Sequence, residues 1–377
     1  RRRGHWQWHR RRRRGLGGQG EREGFGVMRV LFFGSDAASL VALRGLLRGA
    51  PGTIEVVCPP PARVGRRARE LTPGPVRAFA AAEGIRIHDA PPRGPPPRRV
   101  AGGGLEEPSV LGWSPAPELI ADRFDLGVVV SFGYFLPRAI IEAFPRGAIN
   151  LHPSLLPQYR GAAPIQRSLI NGDKETGVSV IAVDPIKFDS GDVLRQVSER
   201  IDPLDTYSSL SERLLARGTE ELVDVVANFE SAWAARTPQQ SQFHGAALRR
   251  APKISVKTQT IDPAKLTAEA VWNRWRGLEG NGGIFALLNG KKRVLFEQVS
   301  LPSDDAVRAA LAGDPKALPE PGQLVVGHGG SDLFLRCSDG GLLQLHQVKV
   351  EGKSVQPASA FVNGYCKGSG ARPVFSG

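Results

Sequence analysis

From Met28 the hydrophobic pattern alternates between two kinds of segment. Short apolar runs, "MRVLFFG", "TIEVVC", "IRIHDA", "DLGVVVSFG", "GAINLH" and "TGVSVIAVD", have the length and β-branched content of strands. Between them, "DAASLVALRGLLRGA", "VRAFAAAEG" and "LPRAIIEAF" place apolar residues at helical spacing, with Asp36 positioned to cap the first. Strands apolar on both faces that alternate with helices predict an α/β fold with a doubly wound, mainly parallel sheet. This domain spans residues 28–232 and closes with the long helical stretch "YSSLSERLLARGTEELVDVVANF".

The rhythm then changes. After a polar linker over 233–252, "RVLFEQVSL", "GQLVVGH", "DLFLRCSD" and "GLLQLHQVKV" read as short strands separated by Gly-rich turns. Their spacing predicts a smaller OB-like β-barrel domain over 253–370, with "PAKLTAEAVWNRWRGL" as its evident helix. Two inserts interrupt the first domain: the Pro- and Gly-rich stretch 91–112, read as a loop, and "CPPPARVGRRARE", whose four arginines alone would pass for a solvated face.

Composition agrees with two cores: 377 residues, of which 41% are hydrophobic, exceed what one typical domain needs. No run of apolar residues reaches membrane-spanning length, and Cys58, Cys337 and Cys366 are too few and scattered for a disulfide framework or a zinc site. A reducing compartment is expected. The net charge of +13 is unevenly placed: residues 1–27 hold nine Arg against Glu21 and Glu23, and the chain from Trp233 onward carries 18 basic against 11 acidic residues. The stretch between is close to neutral. The leader 1–27 has too little apolar content to pack and is expected to be disordered. Two origins stay open for it: an organellar transit peptide, or a translated stretch ahead of a natural start at Met28.

Candidate chemistry centres on "INLHPSLLPQYRGAAPIQ". Asn150 and His152 stand two residues apart on a strand, so their side chains share a face, and Pro153 ends the element there. The pair lies at the carboxyl end of a parallel strand, where open α/β sheets bind ligands. An amide and an imidazole together can stabilise an oxygen that gains negative charge as a carbonyl is attacked. Asp189, on the turn in "KFDSGDVL", supplies a carboxylate to take a proton.

The run "INLHPSLLPQYRGAAPIQRSLINGDKETGVSV" followed by "FDSGDVL", with "VLFFGSD", "VVVSFGYFLP" and "APKIS", closely resembles the 10-formyltetrahydrofolate-dependent formyltransferase family. Within that family the chain is most similar to the branch that formylates methionyl initiator tRNA. The resemblance implies that Asn150, His152 and Asp189 are the catalytic trio. It also implies that Ser154, Leu155, Leu156 and Pro157 form a folate-contacting loop, and that Phe132, Gly133 and Tyr134 line the pteridine side. The loop bearing Arg63, Arg66, Arg67 and Arg69 lies where the tRNA-specific branch engages the acceptor stem, although the family's usual spacing of basic residues is not kept.

The expected reaction passes the formyl group of 10-formyltetrahydrofolate to the α-amine of methionyl initiator tRNA, without a metal. Charge placement adds Arg249, Arg250, Lys253, Lys257, Lys291, Lys292 and Arg293 as expected phosphate contacts. A monomer with no membrane association is expected, in the mitochondrial matrix if the leader is a transit peptide and otherwise in the cytoplasm. Formyltransferases acting on glycinamide ribonucleotide or sugar nucleotides, and formate-releasing hydrolases, share the trio. A catalytically silent RNA-binding protein on the same fold is the alternative outside enzymes.

Overall fold

The computed structural model describes residues 27–50, 52–63, 70–91, 113, 115–239, 247–311, 319–327, 332–366 and 373–377. The arginine-rich leader up to residue 26, the Pro- and Gly-rich insert at 92–112, and Arg66, Arg67 and Arg69 lie outside the described residues.

The first domain contains β1 (Met28–Phe33), α1 (Ala37–Gly49), β2 (Gly52–Cys58), a two-residue ladder of β3 (Ala62–Arg63) with β4 (Leu71–Thr72), α2 (Pro75–Ala82) and β5 (Ile87–Asp89). It continues through α3 (Pro117–Arg123), β6 (Leu126–Val130), α4 (Arg138–Ala143), β7 (Ala148–His152), α5 (Pro164–Ile170), β8 (Glu175–Ala182), β9 (Val193–Arg200), α6 (Tyr207–Ala227) and α7 (Phe229–Ala234). The main sheet has the order β5-β2-β1-β6-β7-β8-β9. Its first five strands are parallel, whereas β8 and β9 run antiparallel at one edge.

Alternation along the strands builds two apolar layers. Val30 and Phe32 of β1 join Leu43 and Leu46 of α1 and Leu222 of α6 on one face. Leu31 and Phe33 face the opposite way, toward Ile120 of α3, Ile140 of α4 and Phe144. On β7, Ile149 and Leu151 enter the first layer, so Asn150 and His152 project from the other face. Asp36 caps α1 as its spacing predicts, accepting from Ser39 N at 3.0 Å while the Ser39 hydroxyl accepts from Asp36 N at 2.9 Å.

The second domain begins with α8 (Val256–Gln259) and α9 (Ala268–Leu278), then β10 (Ile284–Leu288), β11 (Lys292–Ser300), α10 (Asp304–Leu311), β12 (Leu324–Val326) and β13 (Leu333–Arg336). It ends with β14 (Leu342–Val350), β15 (Val355–Pro357), α11 (Ala358–Phe361), a π-helical turn at Val362–Cys366, and β16 (Phe375–Ser376). The antiparallel sheet runs β12-β13-β14-β11-β10-β16. A bridge between Gln323 and Val374 returns its last strand to its first, so the sheet curls on itself as the OB-like reading expects.

Packing of α9 against α5 joins the two domains. Arg276, only 5% exposed, donates within α9 to Asn273 Oδ1 at 2.8 Å and reaches into the first domain, donating to the carbonyl oxygens of Asp202 at 3.2 Å and Asp205 at 3.4 Å. The stretch read from sequence as a polar linker is also engaged. Thr237 pairs with Val193, Gln239 is buried, and residues 249–251 hydrogen-bond to the loop after β7.

Candidate active site

β7 ends at His152 because Pro153 follows and cannot extend the ladder. The chain then makes a tight loop. Ser154 N donates to His152 O at 2.9 Å, the Ser154 hydroxyl donates to Gln158 O at 2.7 Å, and the Leu156–Pro157 peptide is cis. His152 is buried, and its Nε2 lies 3.0 Å from Tyr159 O. A carbonyl oxygen can only accept, so Nε2 carries the proton and Nδ1 is the nitrogen left to face the site. Asp189 Oδ1 stands 3.7 Å from that Nδ1. The Asn150 carboxamide is half-buried, and no described residue hydrogen-bonds it.

Asp189 comes from the loop between β8 and β9, which folds back across the face carrying Asn150 and His152. Its backbone is left-handed, with φ of 50°, in the turn that leads to Gly191. Two groups hold it. Gly161 N donates to Asp189 Oδ2 at 2.9 Å, and the Gln239 amide donates to the carbonyl oxygens of Asp189 at 2.9 Å and Gly191 at 2.8 Å. Gln239 is 1% exposed and in turn accepts from Arg160 Nε at 3.0 Å. Burial draws the Arg160 guanidinium below its ordinary value, against the pull of nearby Asp189. The three residues expected from sequence as a catalytic trio are thus brought to one place. Gly161 and Gln239 were not singled out from sequence. A lone glutamine in a polar stretch carries no periodic signal that it will be buried.

The residues expected to contact folate divide by exposure. Ser154, Leu156 and Pro157 are buried, and the backbone of Leu156 is already engaged: its N donates to the Ser179 hydroxyl oxygen at 3.2 Å and its O accepts from Gln196 Nε2 at 2.9 Å. Leu155 is the member that keeps side-chain surface, lining a cavity of about 310 Å³ with Gln158, Tyr159, Asp173 and Arg249. On the opposite flank, Phe132 is buried beside Phe33 at 5.5 Å and stacks on Tyr134 at 4.7 Å, while Gly133 is exposed. Gly133 and the half-buried Tyr134 are therefore the surface this loop presents, with Phe132 packed beneath Tyr134. Phe135 packs edge-on against Phe188, 4.6 Å away, bridging this loop to the turn that bears Asp189.

The basic residues expected to meet RNA also divide. Arg63, Arg250, Lys253, Lys257, Lys291, Lys292 and Arg293 are exposed. Lys292 lies over the ring of Tyr365 at 5.7 Å and Arg293 over Phe285 at 3.5 Å, which interleaves cations with aromatic faces on the barrel. Arg249 is exposed too but differs in being paired: its guanidinium pairs with Asp173 and donates to the Tyr159 hydroxyl at 3.1 Å. That bond to Tyr159, with Asp173 behind it, holds Arg249 above its ordinary pKa.

Comparison with known proteins adds a second line of evidence. The sequence profile of the family described as formyl transferase matches residues 28–226, and that of the formyl transferase C-terminal domain matches 253–366. The methionyl-tRNA formyltransferase of Symbiobacterium thermophilum is 32% identical over 342 residues, covering 90% of this chain and 93% of that one. The enzyme of the same name from Phenylobacterium zucineum is 33% identical, covering 92% and 99%. Among solved structures, the sugar 3N-formyl transferase WlaRD, determined with dTDP and 5-N-formyl-THF, superposes with a TM-score of 0.54 at 15% identity, covering 87% of this chain and 99% of that one. HypX from Aquifex aeolicus in complex with tetrahydrofolic acid gives 0.52 at 14% identity, covering 90% and 48%. At such identities these two likenesses speak for the fold alone.

Proposed function

The chain belongs to the formyl transferase family, and from that premise we propose that it transfers the formyl group of 10-formyltetrahydrofolate to the α-amine of methionyl initiator tRNA. One observation carries the reading: relatives alike over about nine-tenths of both chains are methionyl-tRNA formyltransferases, and in this chain Asp189, from the loop between β8 and β9, comes to 3.7 Å from His152, which shares a face of β7 with Asn150. The exposed basic residues of the second domain favour an RNA substrate over a small nucleotide, which needs no such surface.

In this reading the amine attacks the formyl carbon, and the carbonyl oxygen becomes an oxyanion. The Asn150 amide is free to donate to it. His152 has Nε2 committed to Tyr159 O, so it meets the same oxygen through Nδ1, and donates there only as the doubly protonated ring. Asp189, at 3.7 Å, balances that charge and takes or relays the proton leaving the amine. The oxyanion collapses to the carbonyl, the carbon–nitrogen bond to the folate breaks as its nitrogen receives the proton relayed from the amine, and tetrahydrofolate departs. Leu155, Gly133 and Tyr134 are the surfaces offered to the folate. The chain is read as a monomer, in the mitochondrial matrix if residues 1–27 are a transit peptide and otherwise in the cytoplasm.

The test offers labelled 10-formyltetrahydrofolate to the protein with charged initiator tRNA, glycinamide ribonucleotide and an amino-sugar nucleotide side by side. Label on the methionyl amine is expected. Label on a small nucleotide, or released as formate with tRNA unlabelled, overturns the proposal.

A further inference from the structure

The stretch 247–251 joins two domains, yet its backbone lies against the loop that carries the site. Tyr159 N donates to Arg249 O at 2.8 Å, Ala251 N to Arg160 O at 2.9 Å, and Ala163 N to Ala251 O at 3.1 Å. Arg249 N adds a bond to Gln158 Oε1 at 2.8 Å. The approach is close: Gly161 has φ of 127°, and a Cβ on it would stand 2.5 Å from Ala251 O. The other side of the same strip touches the candidate reacting groups, because Tyr159 O holds His152 Nε2 and Gly161 N holds Asp189 Oδ2.

Tyr159 is pinned from its far end as well. It is 4% exposed with a left-handed backbone at φ of 60°, so its carbonyl direction depends on what surrounds it. Its hydroxyl donates to Asp173 and accepts from Asn171 Nδ2 at 2.9 Å and Arg249 Nη1 at 3.1 Å. Arg249 closes the ring by pairing with Asp173. One arginine therefore clamps the strip through its own backbone and through the tyrosine hydroxyl.

Resting on the formyl-transfer reading, we propose that Tyr159 and Arg249 are positioning residues: the docked segment 249–251 fixes the strip 159–161, and that strip sets where His152 and Asp189 point. Arg249 then works on the rate of the chemical step rather than as a phosphate contact, which is the role its charge suggests from sequence. A misplacement of about 1 Å at reacting groups can cost on the order of a hundredfold in rate, so a partial loss of the clamp should cost about tenfold or more.

The experiment compares the full chain with Arg249→Ala, Arg249→Lys and Tyr159→Phe, varying charged tRNA and folate separately at several salt concentrations. Arg249→Ala is expected to lower kcat about tenfold or more, with KM for tRNA within about twofold and the salt slope unchanged. Arg249→Lys, which keeps a donor for Asp173, should recover part of that loss, and Tyr159→Phe should move kcat in the same direction. The 15N spectrum of the His152 imidazole provides a readout that needs no activity: the Nε2 proton should exchange faster with water in Tyr159→Phe. A raised KM for tRNA with a flattened salt slope and parental kcat would make Arg249 a phosphate contact and overturn the proposal. So would an unchanged His152 spectrum in folded Tyr159→Phe, which loses only a hydroxyl. If the parent itself fails to formylate charged tRNA, the functional reading falls, while the nitrogen spectrum still decides the positioning.

Discussion

At the scale of single residues, Asp189 sits in a backbone conformation that asparagine tolerates well, and an asparagine Oδ1 can still accept from Gly161 N. Asp189→Asn therefore keeps the turn and removes the base, and turnover should fall by roughly 10²- to 10⁴-fold with the melting temperature little changed. Near-parental turnover would remove Asp189 from the mechanism. Asn150→Ala and His152→Ala should each reduce kcat strongly. Made together they should cost less than the sum of their separate effects, since both serve one oxyanion. Strict additivity, or rate losses that follow lost thermal stability, would mark the pair as structural. The spacing of Asn150 and His152 and the loop chemistry of Asp189 were legible in the sequence. The tie of His152 to Tyr159 O was not, because it depends on how a tight loop turns back on the strand it leaves.

At the scale of elements, the parallel strands were legible as short apolar runs, and β1, β2 and β6 bury residues on both faces. β9 was not: "VLRQVSER" alternates toward solvent at a sheet edge and lacks the continuous apolar run that marks its neighbours. The reversal of β8 against β7 is likewise invisible to local pattern, since a strand reads the same in either direction. The entrance to α6 offers a pH test. Burial alone would raise the Asp205 carboxyl, but hydrogen bonds from Arg213 at 2.6 and 2.8 Å, Asp202 N at 2.7 Å and Ser209 at 2.8 Å overcome it and hold the pKa at about 2. The folded value lies below the ordinary 3.8, so this stabilisation is full above about pH 4 and is lost as pH falls toward 2. Melting temperature measured against pH should fall more steeply over that window for the parent than for Asp205→Asn, the two curves converging at the acid end. Parallel curves would show that Asp205 titrates alike in folded and unfolded chains.

At the scale of the whole molecule, two matched domains place an exposed basic turn on the barrel, at Lys291, Lys292 and Arg293. Neutralising the three together should raise the tRNA concentration needed for half-maximal rate and flatten its salt dependence by about one log-log unit per lost phosphate contact, with folate affinity unmoved. Parental behaviour at every salt concentration would make them ordinary solvated charges. Two-domain organisation was legible from the change of rhythm near residue 253; the joint between the domains was not, since no local pattern announces that an arginine will be buried across it. That arginine has a calorimetric consequence. The Arg276 guanidinium is desolvated, which lowers its pKa, and it satisfies carbonyl oxygens of the other domain, so separating the halves would strand both donor and acceptors. The protein should therefore melt in a single endotherm whose calorimetric and van't Hoff enthalpies agree, and Arg276→Leu should resolve it into two.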